Sequence, residues 1–177
     1  DLLTARGGSA VLTEVPEMFG AEQVLLDRCE NEAVYAAAVK MICDFKQYFV
    51  SHGQTVYENP SPGNRAGGIT TLEDKSIGCV QKGGSATVRD VIGYAGQVRK
   101  NGLTLLSGPG NDLVSATALA AAGAHMILFT TGRGTPFGAP VPTLKIASNS
   151  ELFRKKPGWM DFNAGTTAED EPMDRVA

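Results

Sequence analysis

The sequence predicts an α/β fold in which helices flank an open, mainly parallel sheet in a Rossmann-like three-layer arrangement. Short apolar runs of strand length alternate with amphipathic stretches of helical length. Residues 102–132 have the pattern strand, loop, helix and strand, which is typical of a parallel sheet with a right-handed crossover. A long irregular Gly/Pro-rich loop interrupts this pattern in the middle of the chain.

The first half of the chain predicts one strand and two helices. Residues 9–15 predict a short buried strand, and residues 16–29 predict a helix whose first turn accommodates Pro16. Residues 32–52 repeat apolar side chains at spacings of three and four, which predicts an amphipathic helix of about five turns. A strand therefore leads into two helices.

The irregular loop occupies residues 59–84. Its segment NPSPGNRAGG contains prolines and glycines that exclude a helix interior and a central strand. Thr70 and Thr71 precede Glu73 in a capping-box arrangement, which predicts a short helix inside the loop. Residues 87–98 carry an amphipathic pattern that predicts a further helix.

The second half is more regular. In chain order it predicts a strand at 102–108, a helix at 113–123, strands at 124–132 and 143–149, a helical turn or two at 150–156 and a strand-like segment at 159–165. We expect a single α/β domain over residues 1–165. Residues 166–177 are polar and acidic without periodicity, which predicts a flexible tail.

Composition excludes several classes of partner. The formal net charge of −3 argues against a nucleic-acid or anionic-membrane surface. No apolar run approaches the roughly 18 residues of a membrane span. The three cysteines lack CxxC spacing and predict neither a disulfide framework nor a structural zinc site. We therefore expect a cytoplasmic protein that binds neither nucleic acid nor membranes, and a homo-oligomer is compatible with the sequence.

Polar loops follow each predicted strand, at residues 13–17, 107–112, 130–138 and 147–150. The carboxyl ends of parallel strands share one sheet edge, where ligands collect, so these loops predict a polar floor for a carboxylate or polyhydroxylated ligand. The candidate ligand-binding residues are Ser107, Asn111, Asp112, Thr130, Thr131, Gly132, Arg133, Gly134, Thr135 and Asn149. In the alternative interpretation these residues only turn the chain, and Asn111 or Asp112 only caps a helix.

Acidic residues surround the first junction between strand and helix. Glu14, Glu17 and Glu22 are candidates for hard-metal ligands or for a general base, and equally for acids that favour a helix N-terminus. His52 and His125 each stand alone in the sequence, and Cys79 lies in an apolar segment typical of a buried thiol. The Walker spacing and a complete GxGxxG are absent, which disfavours nucleotide binding.

Three segments carry a resemblance to a known family. They are NPSPGNRAGGITTLEDKSIGC (59–79), the stretch from LLSGPGND to LKIASNS (105–150) and WMDFNAG (159–165). Together they closely resemble the large catalytic part of the altronate/galactarate dehydratase family, over nearly the whole chain up to Gly165. The family also includes the large subunit of a sulfolactate sulfo-lyase. Its members are longer, so the resemblance implies that this is the C-terminal domain of such an enzyme, working with N-terminal domains.

The resemblance implies a metal-dependent hydro-lyase of sugar-acid catabolism. Such an enzyme eliminates water from D-galactarate or D-altronate and gives a 2-keto-3-deoxy sugar acid, with iron(II) or manganese(II) as the metal. A Lewis acid suits this chemistry because it stabilises the charge that forms when the α-proton leaves. A sulfo-lyase domain and a non-catalytic substrate-binding or assembly domain remain the alternatives, and the isolated domain need not be active.

The resemblance also draws attention to residues of the TTLEDKS segment. Lys75 is the candidate general base or carboxylate clamp, Glu73 is the alternative base, and an exposed helical lysine is the competing interpretation. Further candidate substrate contacts are Asn59, Asn64, Thr70 and Thr71. The metal ligands stay unassigned, with Glu14 and Glu17 as candidates, because the chain has two histidines and no HxH or HxxxE spacing.

Overall fold

The computed structural model describes residues 1–169 and divides into two compact units. Unit 1 comprises Asp1–Gly123 and unit 2 begins at Ala124. Each unit contains an open sheet of three parallel strands flanked by helices, which confirms the predicted α/β class. Within residues 1–169, none of the helices combines the length and the apolar character required to cross a bilayer.

The sheet of unit 1 consists of β1 (Ser9–Leu12), β2 (Val88–Ile92) and β3 (Gly102–Leu106). Its strand order is β1-β3-β2, and both pairings are parallel. All five residues of β3 are buried, as expected for a central strand that is covered on both faces. The predicted strands at 9–15 and 102–108 are thus confirmed.

The helices of unit 1 are α1 (Leu2–Ala5), α2 (Glu22–Leu26), α3 (Glu32–Ser51), α4 (Pro62–Ala66), α5 (Leu72–Val80) and α6 (Asp112–Ala121), with 3-10 turns at Val15–Glu17 and Gln81–Gly83. The long amphipathic helix is confirmed as α3, which Asn31 caps by accepting a hydrogen bond from the Val34 amide. Thr71 caps α5 in the same way, which confirms the short helix inside the loop.

The core of unit 1 forms two layers, one on each face of the sheet. On one face, Leu103 and Leu105 pack in a cluster with α3 residues such as Ala38. On the other face, Leu106 packs against Ala118 and Ala122 at the end of α6. Because side chains alternate along a strand, β3 supplies both layers, and unit 1 has the three-layer arrangement that the sequence predicts.

Three predictions for this half are wrong in detail. Residues 87–98 contain strand β2 (Val88–Ile92) and no helix, because Val88, Val91 and Ile92 pair with β3. Their spacing fits a helical stripe equally well, but β-branched side chains favour the pleated conformation. The segment NPSPGNRAGG contains helix α4, because Pro62 occupies the first turn, where a missing N–H costs nothing.

Residues 16–29 contain shorter elements than the predicted helix. A 3-10 turn covers Val15–Glu17, and α2 follows only at Glu22–Leu26. Gly20 interrupts the stretch at φ +89°, a backbone conformation that is incompatible with a continuous right-handed helix.

Unit 2 contains β4 (Ile127–Thr131), β5 (Thr143–Ala147), β6 (Phe162–Asn163), α7 (Ser150–Lys155) and a 3-10 helix at Ala164–Glu169. The strands pair in parallel in the order β4-β5-β6, which confirms the predicted strands of this half. The first residues of the predicted tail, 166–169, belong to the 3-10 helix. The rest of the predicted tail, residues 170–177, lies outside the described residues.

The predicted strand, helix and strand at 102–132 do not share one sheet. Strand β3 pairs with β1 on one side and β2 on the other, so both of its edges are occupied. Strand β4 pairs instead with β5. Helix α6 therefore leads from the sheet of unit 1 to the first strand of the sheet of unit 2, and the expected crossover within one sheet is not formed.

Candidate active site

The loops after β1 and β3 are joined at the carboxyl edge of the first sheet. The Val15 amide donates to the Gly108 carbonyl at 2.9 Å. The Thr13 hydroxyl donates to the Leu106 carbonyl at 3.1 Å. Gly108 allows this approach, because a Cβ at that position would lie 2.4 Å from the Thr13 hydroxyl oxygen. Two loops far apart in the sequence thus form one continuous floor in unit 1.

Five side chains meet at this floor, and we call Glu14, Glu17, Lys75, Cys79 and Ser115 the acid–lysine cluster. The Glu17 carboxylate contacts the Lys75 ammonium through Oε1 at 3.4 Å and accepts from the Cys79 thiol through Oε2 at 2.8 Å. The Glu14 Oε1 atom lies 3.2 Å from the Ser115 hydroxyl oxygen. The cluster therefore combines two carboxyl groups, one ammonium group and two neutral donors.

Helix α5 brings its two members to the cluster on one face. Lys75 and Cys79 are four residues apart, one helical turn, so their side chains lie one above the other. The intervening Ser76 is fully buried, and its hydroxyl donates to the Phe19 carbonyl at 2.5 Å. This bond fixes the rotation of α5 about its axis, because it anchors the side of the helix next to the cluster.

Burial and charge shift the protonation of Glu14. Burial and the neighbouring Glu17 carboxylate raise the pKa of Glu14 from 4.5 to about 7. Asp112 acts in the same direction, whereas Lys82 and the hydroxyl of Ser115 favour the carboxylate and oppose the rise. Glu14 therefore exchanges a proton near neutral pH, which an ordinary surface glutamate does not do.

Lys75 and Cys79 are shifted toward the forms that hold a proton. Burial disfavours the charge of Lys75, but the carboxylate of Glu17, together with Cys79 and Glu14, outweighs it and raises the pKa of Lys75. Burial and the Glu17 carboxylate raise the pKa of Cys79 to about 12. At neutral pH the cluster thus presents a permanent ammonium group and a neutral thiol that is a poor nucleophile.

The other candidates of unit 1 have local structural roles. Asn111 caps α6 by accepting from the Val114 amide at 3.2 Å, as the alternative interpretation of SGPGND expected. The Ser107 amide donates to the Ile92 carbonyl at 2.9 Å. Asp112 is exposed in the first turn of α6, and its negative charge helps to raise the pKa of Glu14.

The candidates from the irregular loop lie in or beside its two helices. Thr71 is the cap of α5, and Asn64 belongs to α4. Asn59 is half-buried, and Thr70 is exposed. Glu73 is exposed in the first turn of α5, and within residues 1–169 no hydrogen bond or ion pair joins it to the acid–lysine cluster. The structure therefore groups Lys75, and not Glu73, with Glu17.

The candidates of unit 2 form a second pair of loops. The Thr131 hydroxyl accepts from the amides of Arg133 and Gly134, which shapes the turn after β4. Asn149 caps α7 and donates to the Gly132 carbonyl at 3.0 Å, so it ties the loop after β5 to the loop after β4. The four predicted loops thus meet in two pairs, one in each unit, and their convergence into a single floor stays a prediction.

Two lysines that the sequence analysis missed support the loop after β4. The Lys156 ammonium donates to the Arg133 carbonyl at 2.9 Å, and the Lys145 ammonium donates to the Thr135 carbonyl at 3.1 Å. The side chains of Arg133 and Thr130 are exposed. Unit 2 also has an open groove of about 670 Å³ lined by Phe137, Lys145, Trp159 and Asp161 among others, and none of the predicted site residues lines it.

Glu14 and Glu17 do not fit a divalent metal. Both oxygens of Glu17 are engaged by Lys75 and Cys79, and Lys82 adds a second cation near Glu14. A cation between these carboxyl groups would be repelled by both lysines. In the stretch from residue 1 to residue 169, no three His, Cys, Asp or Glu side chains come together as a ligand group.

The sequence analysis missed Ser115 and left Cys79 without a partner. The signal for Cys79 was its helical spacing from Lys75, which places both on one face. Ser115 follows the capping residue Asn111 by four positions, so the sequence places both residues on the same face of the predicted helix. Contact between these helices and the loop after β1 is a product of tertiary packing and has no local sequence signal.

The fold and the cluster define the class: an α/β protein that combines a titratable carboxyl group with a fixed ammonium group at the carboxyl edge of a parallel sheet. Comparison of the sequence with family models makes this specific. The chain belongs to the D-galactarate/altronate dehydratase, C-terminal, family, whose model matches residues 1–177.

Individual relatives are similar over nearly all of this chain. It is 63% identical over 97% of its length to an altronate dehydratase of Bacillus subtilis, strain 168. It is 60% identical over 99% of its length to an altronate dehydratase of Escherichia coli K12, and 35% identical over 97% to the galactarate dehydratase (L-threo-forming) of the same organism. The chain spans about a third of the length of these curated relatives, 33–36%.

Proposed function

We propose that this chain is the C-terminal catalytic part of an altronate dehydratase, a hydro-lyase that eliminates water from a sugar acid and gives a 2-keto-3-deoxy acid. The observation that carries the proposal is the contrast in similarity. Identity is 60–63% with the two altronate dehydratases and 35% with the galactarate dehydratase. Altronate is therefore the favoured substrate and galactarate the second candidate.

Lys75 is the proposed carboxylate clamp of this reaction. Its ammonium group is half-buried, charged at neutral pH and held in place by Glu17. These properties suit a cation that binds the substrate carboxylate and stabilises the negative charge that forms when the α-proton leaves. They do not suit a general base, which must lose its proton near the working pH.

The divalent metal implied by the family remains part of the proposal, but this chain's described residues do not supply its ligand set. We infer that iron(II) or manganese(II), where the enzyme uses it, takes ligands from segments that the longer relatives have in addition to this one. The same segments are the proposed intramolecular partners. A cytoplasmic location is proposed as well, because Cys29, Cys43 and Cys79 are all free thiols.

A turnover assay tests the proposal. The full-length enzyme containing this chain, loaded with iron(II) or manganese(II), is incubated with altronate, galactarate and sulfolactate, and the keto acid and sulfite are quantified. We expect the highest kcat/KM with altronate. Sulfite release from sulfolactate at a higher kcat/KM would favour the sulfo-lyase alternative, and turnover that is unchanged by Lys75→Ala and Arg133→Ala would favour a non-catalytic binding or assembly domain.

A further inference from the structure

We propose that Glu14 is the residue that carries the proton in this elimination: its carboxylate removes the α-proton of the sugar acid and returns it to the departing β-hydroxyl. This inference rests on the proposed dehydratase function and adds a catalytic residue to it. The first supporting observation is the backbone of Glu14. With φ 67° and ψ 60°, this residue lies in the left-handed region that non-glycine residues rarely adopt.

Hydrogen bonds on both sides hold this unusual conformation. The Glu14 carbonyl accepts from the Glu17 amide at 2.8 Å, and the next residue, Val15, is bonded to Gly108 in the loop after β3. A left-handed conformation of a non-glycine residue costs on the order of 1–3 kcal/mol, and such residues concentrate at functional sites. Here the left-handed residue lies between β1, which ends at Leu12, and the 3-10 turn at Val15–Glu17, and the Glu14 side chain reaches the buried hydroxyl of Ser115.

Ser115 is compatible with both protonation states of Glu14. Its hydroxyl oxygen lies 3.2 Å from the Glu14 carboxyl group and also within hydrogen-bond distance of the Asn111 carbonyl. When Glu14 is a carboxylate, the Ser115 hydroxyl can donate to it. When Glu14 is protonated, the same hydroxyl can donate to Asn111 and accept from Glu14. A proton can therefore arrive and leave without an unpaired buried group.

The charges around Glu14 bring its pKa into the range that the reaction requires. Glu17 and Asp112 disfavour the carboxylate, Lys82 and Ser115 favour it, and the ammonium of Lys75 faces the same group of acids. Together with burial, these groups give Glu14 a pKa of about 7. Both the base form and the acid form are then populated near neutral pH, as a group that takes and returns a proton requires.

The step balances within the substrate and Glu14. The C–H bond α to the carboxylate breaks, its proton passes to a Glu14 oxygen, and its electron pair forms the carbon–carbon double bond. The β-carbon–oxygen bond breaks, and the leaving hydroxide takes the proton from Glu14 and departs as water. Glu14 returns to its starting form, and the enol that remains tautomerises to the keto acid by exchange with solvent. No oxidant or reductant takes part.

The test uses Glu14→Gln and Ser115→Ala in the full-length enzyme with altronate. Glutamine has the shape of glutamic acid but cannot accept the proton, so we expect kcat to fall about 10²–10⁴-fold while KM changes little. For the wild-type enzyme, kcat/KM should rise with pH through about 7, the pKa of Glu14. Loss of the Ser115 hydrogen bond, which favours the carboxylate, should move this midpoint to higher pH.

Glu32→Gln, at an exposed site in the first turn of α3, is the matched control and should keep wild-type kcat and pH dependence. Retention of more than a tenth of kcat by Glu14→Gln would overturn the assignment, as would a pH midpoint that Ser115→Ala leaves unchanged. These outcomes are distinct from failure of the proposed function. In that case the wild-type enzyme itself would not convert altronate.

Discussion

At the scale of single residues, Glu14 combines features that each disfavour the folded state. Its backbone is left-handed, its carboxyl group is mostly buried, and a second carboxylate faces it from Glu17. Lys82 and Ser115 compensate only in part, so the side chain holds its proton to a higher pH than in the unfolded chain. A residue maintained at such a cost is typical of a functional site.

The pKa of Glu14 makes a prediction about stability. Its pKa is about 7 in the folded protein against an ordinary value of 4.5, so the folded state binds this proton more tightly than the unfolded chain. The stabilisation from this proton is complete below the unfolded pKa and is lost as the pH rises through the folded pKa. We expect Glu14 to lower the free energy of unfolding by about 2–3 kcal/mol between pH 5 and pH 8.

Urea unfolding of the wild type and of Glu14→Gln at these two pH values measures the contribution of Glu14 to the free energy of unfolding. The variant cannot ionise at this position, so its stability relative to the wild type should increase by about 2–3 kcal/mol from pH 5 to pH 8. Glu32→Gln, at an exposed position, is the control for the substitution itself. An identical pH dependence for Glu14→Gln and the wild type would contradict the raised pKa.

At the scale of elements, the sequence predicts most strands and helices but not β2. Val88, Val91 and Ile92 have spacings that suit a helical stripe, and their strand conformation depends on pairing with Leu103–Leu106. That pairing is a contact between distant segments, which a local pattern does not contain. Helix α3 was predictable because twenty residues repeat one helical period and a capping asparagine precedes them.

The joint between the loops after β1 and β3 gives a prediction at this scale. A Cβ at Gly108 would lie 2.4 Å from the Thr13 hydroxyl oxygen, so Gly108→Ala must displace Thr13 or separate the two loops. We expect a loss of about 1–3 kcal/mol in the free energy of unfolding, as for other overpacked sites. Activity should fall with it, because the same loops carry Glu14 and the N-terminus of α6.

Gly110→Ala is the control in the same loop. A Cβ there would lie 3.7 Å from the nearest atom, an ordinary contact with Glu17, so stability should stay within about 0.5 kcal/mol of the wild type. Adding Thr13→Ala to Gly108→Ala removes the colliding hydroxyl and should restore part of the loss. If both glycine substitutions lowered the free energy of unfolding equally, the contact between position 108 and Thr13 would not be the cause of the loss.

At the scale of the whole molecule, the sequence predicts the parallel α/β class but not the division into two sheets. The pattern at 102–132 is that of a crossover, and nothing in it reveals that β1 and β2 already occupy both edges of β3. The candidate site shows the same limit. Lys75 and Glu17 were each candidate site residues, but their ion pair depends on how α5 packs against the loop after β1.

Binding of the substrate carboxylate can be tested separately at Lys75 and at Arg133. Altronate has one carboxylate, whereas galactarate has two, so galactarate requires an additional cation if both are to be bound. Lys75 is half-buried beside Glu17 in unit 1, and Arg133 is exposed in the loop after β4 of unit 2. Lys75 is therefore the residue that we expect to bind the carboxylate next to the reacting carbon of either substrate.

In the full-length enzyme, Lys75→Ala should therefore lower kcat/KM for altronate about 10–150-fold, the effect of losing a charged hydrogen bond, whereas Arg133→Ala should change it less than about threefold. With galactarate, as substrate or as competitive inhibitor, Lys75→Ala should weaken binding about tenfold or more. Lys40→Ala, on the exposed face of α3, should leave both ligands unaffected. Equal losses from Lys75→Ala and Arg133→Ala with altronate would contradict the assignment of its carboxylate to Lys75.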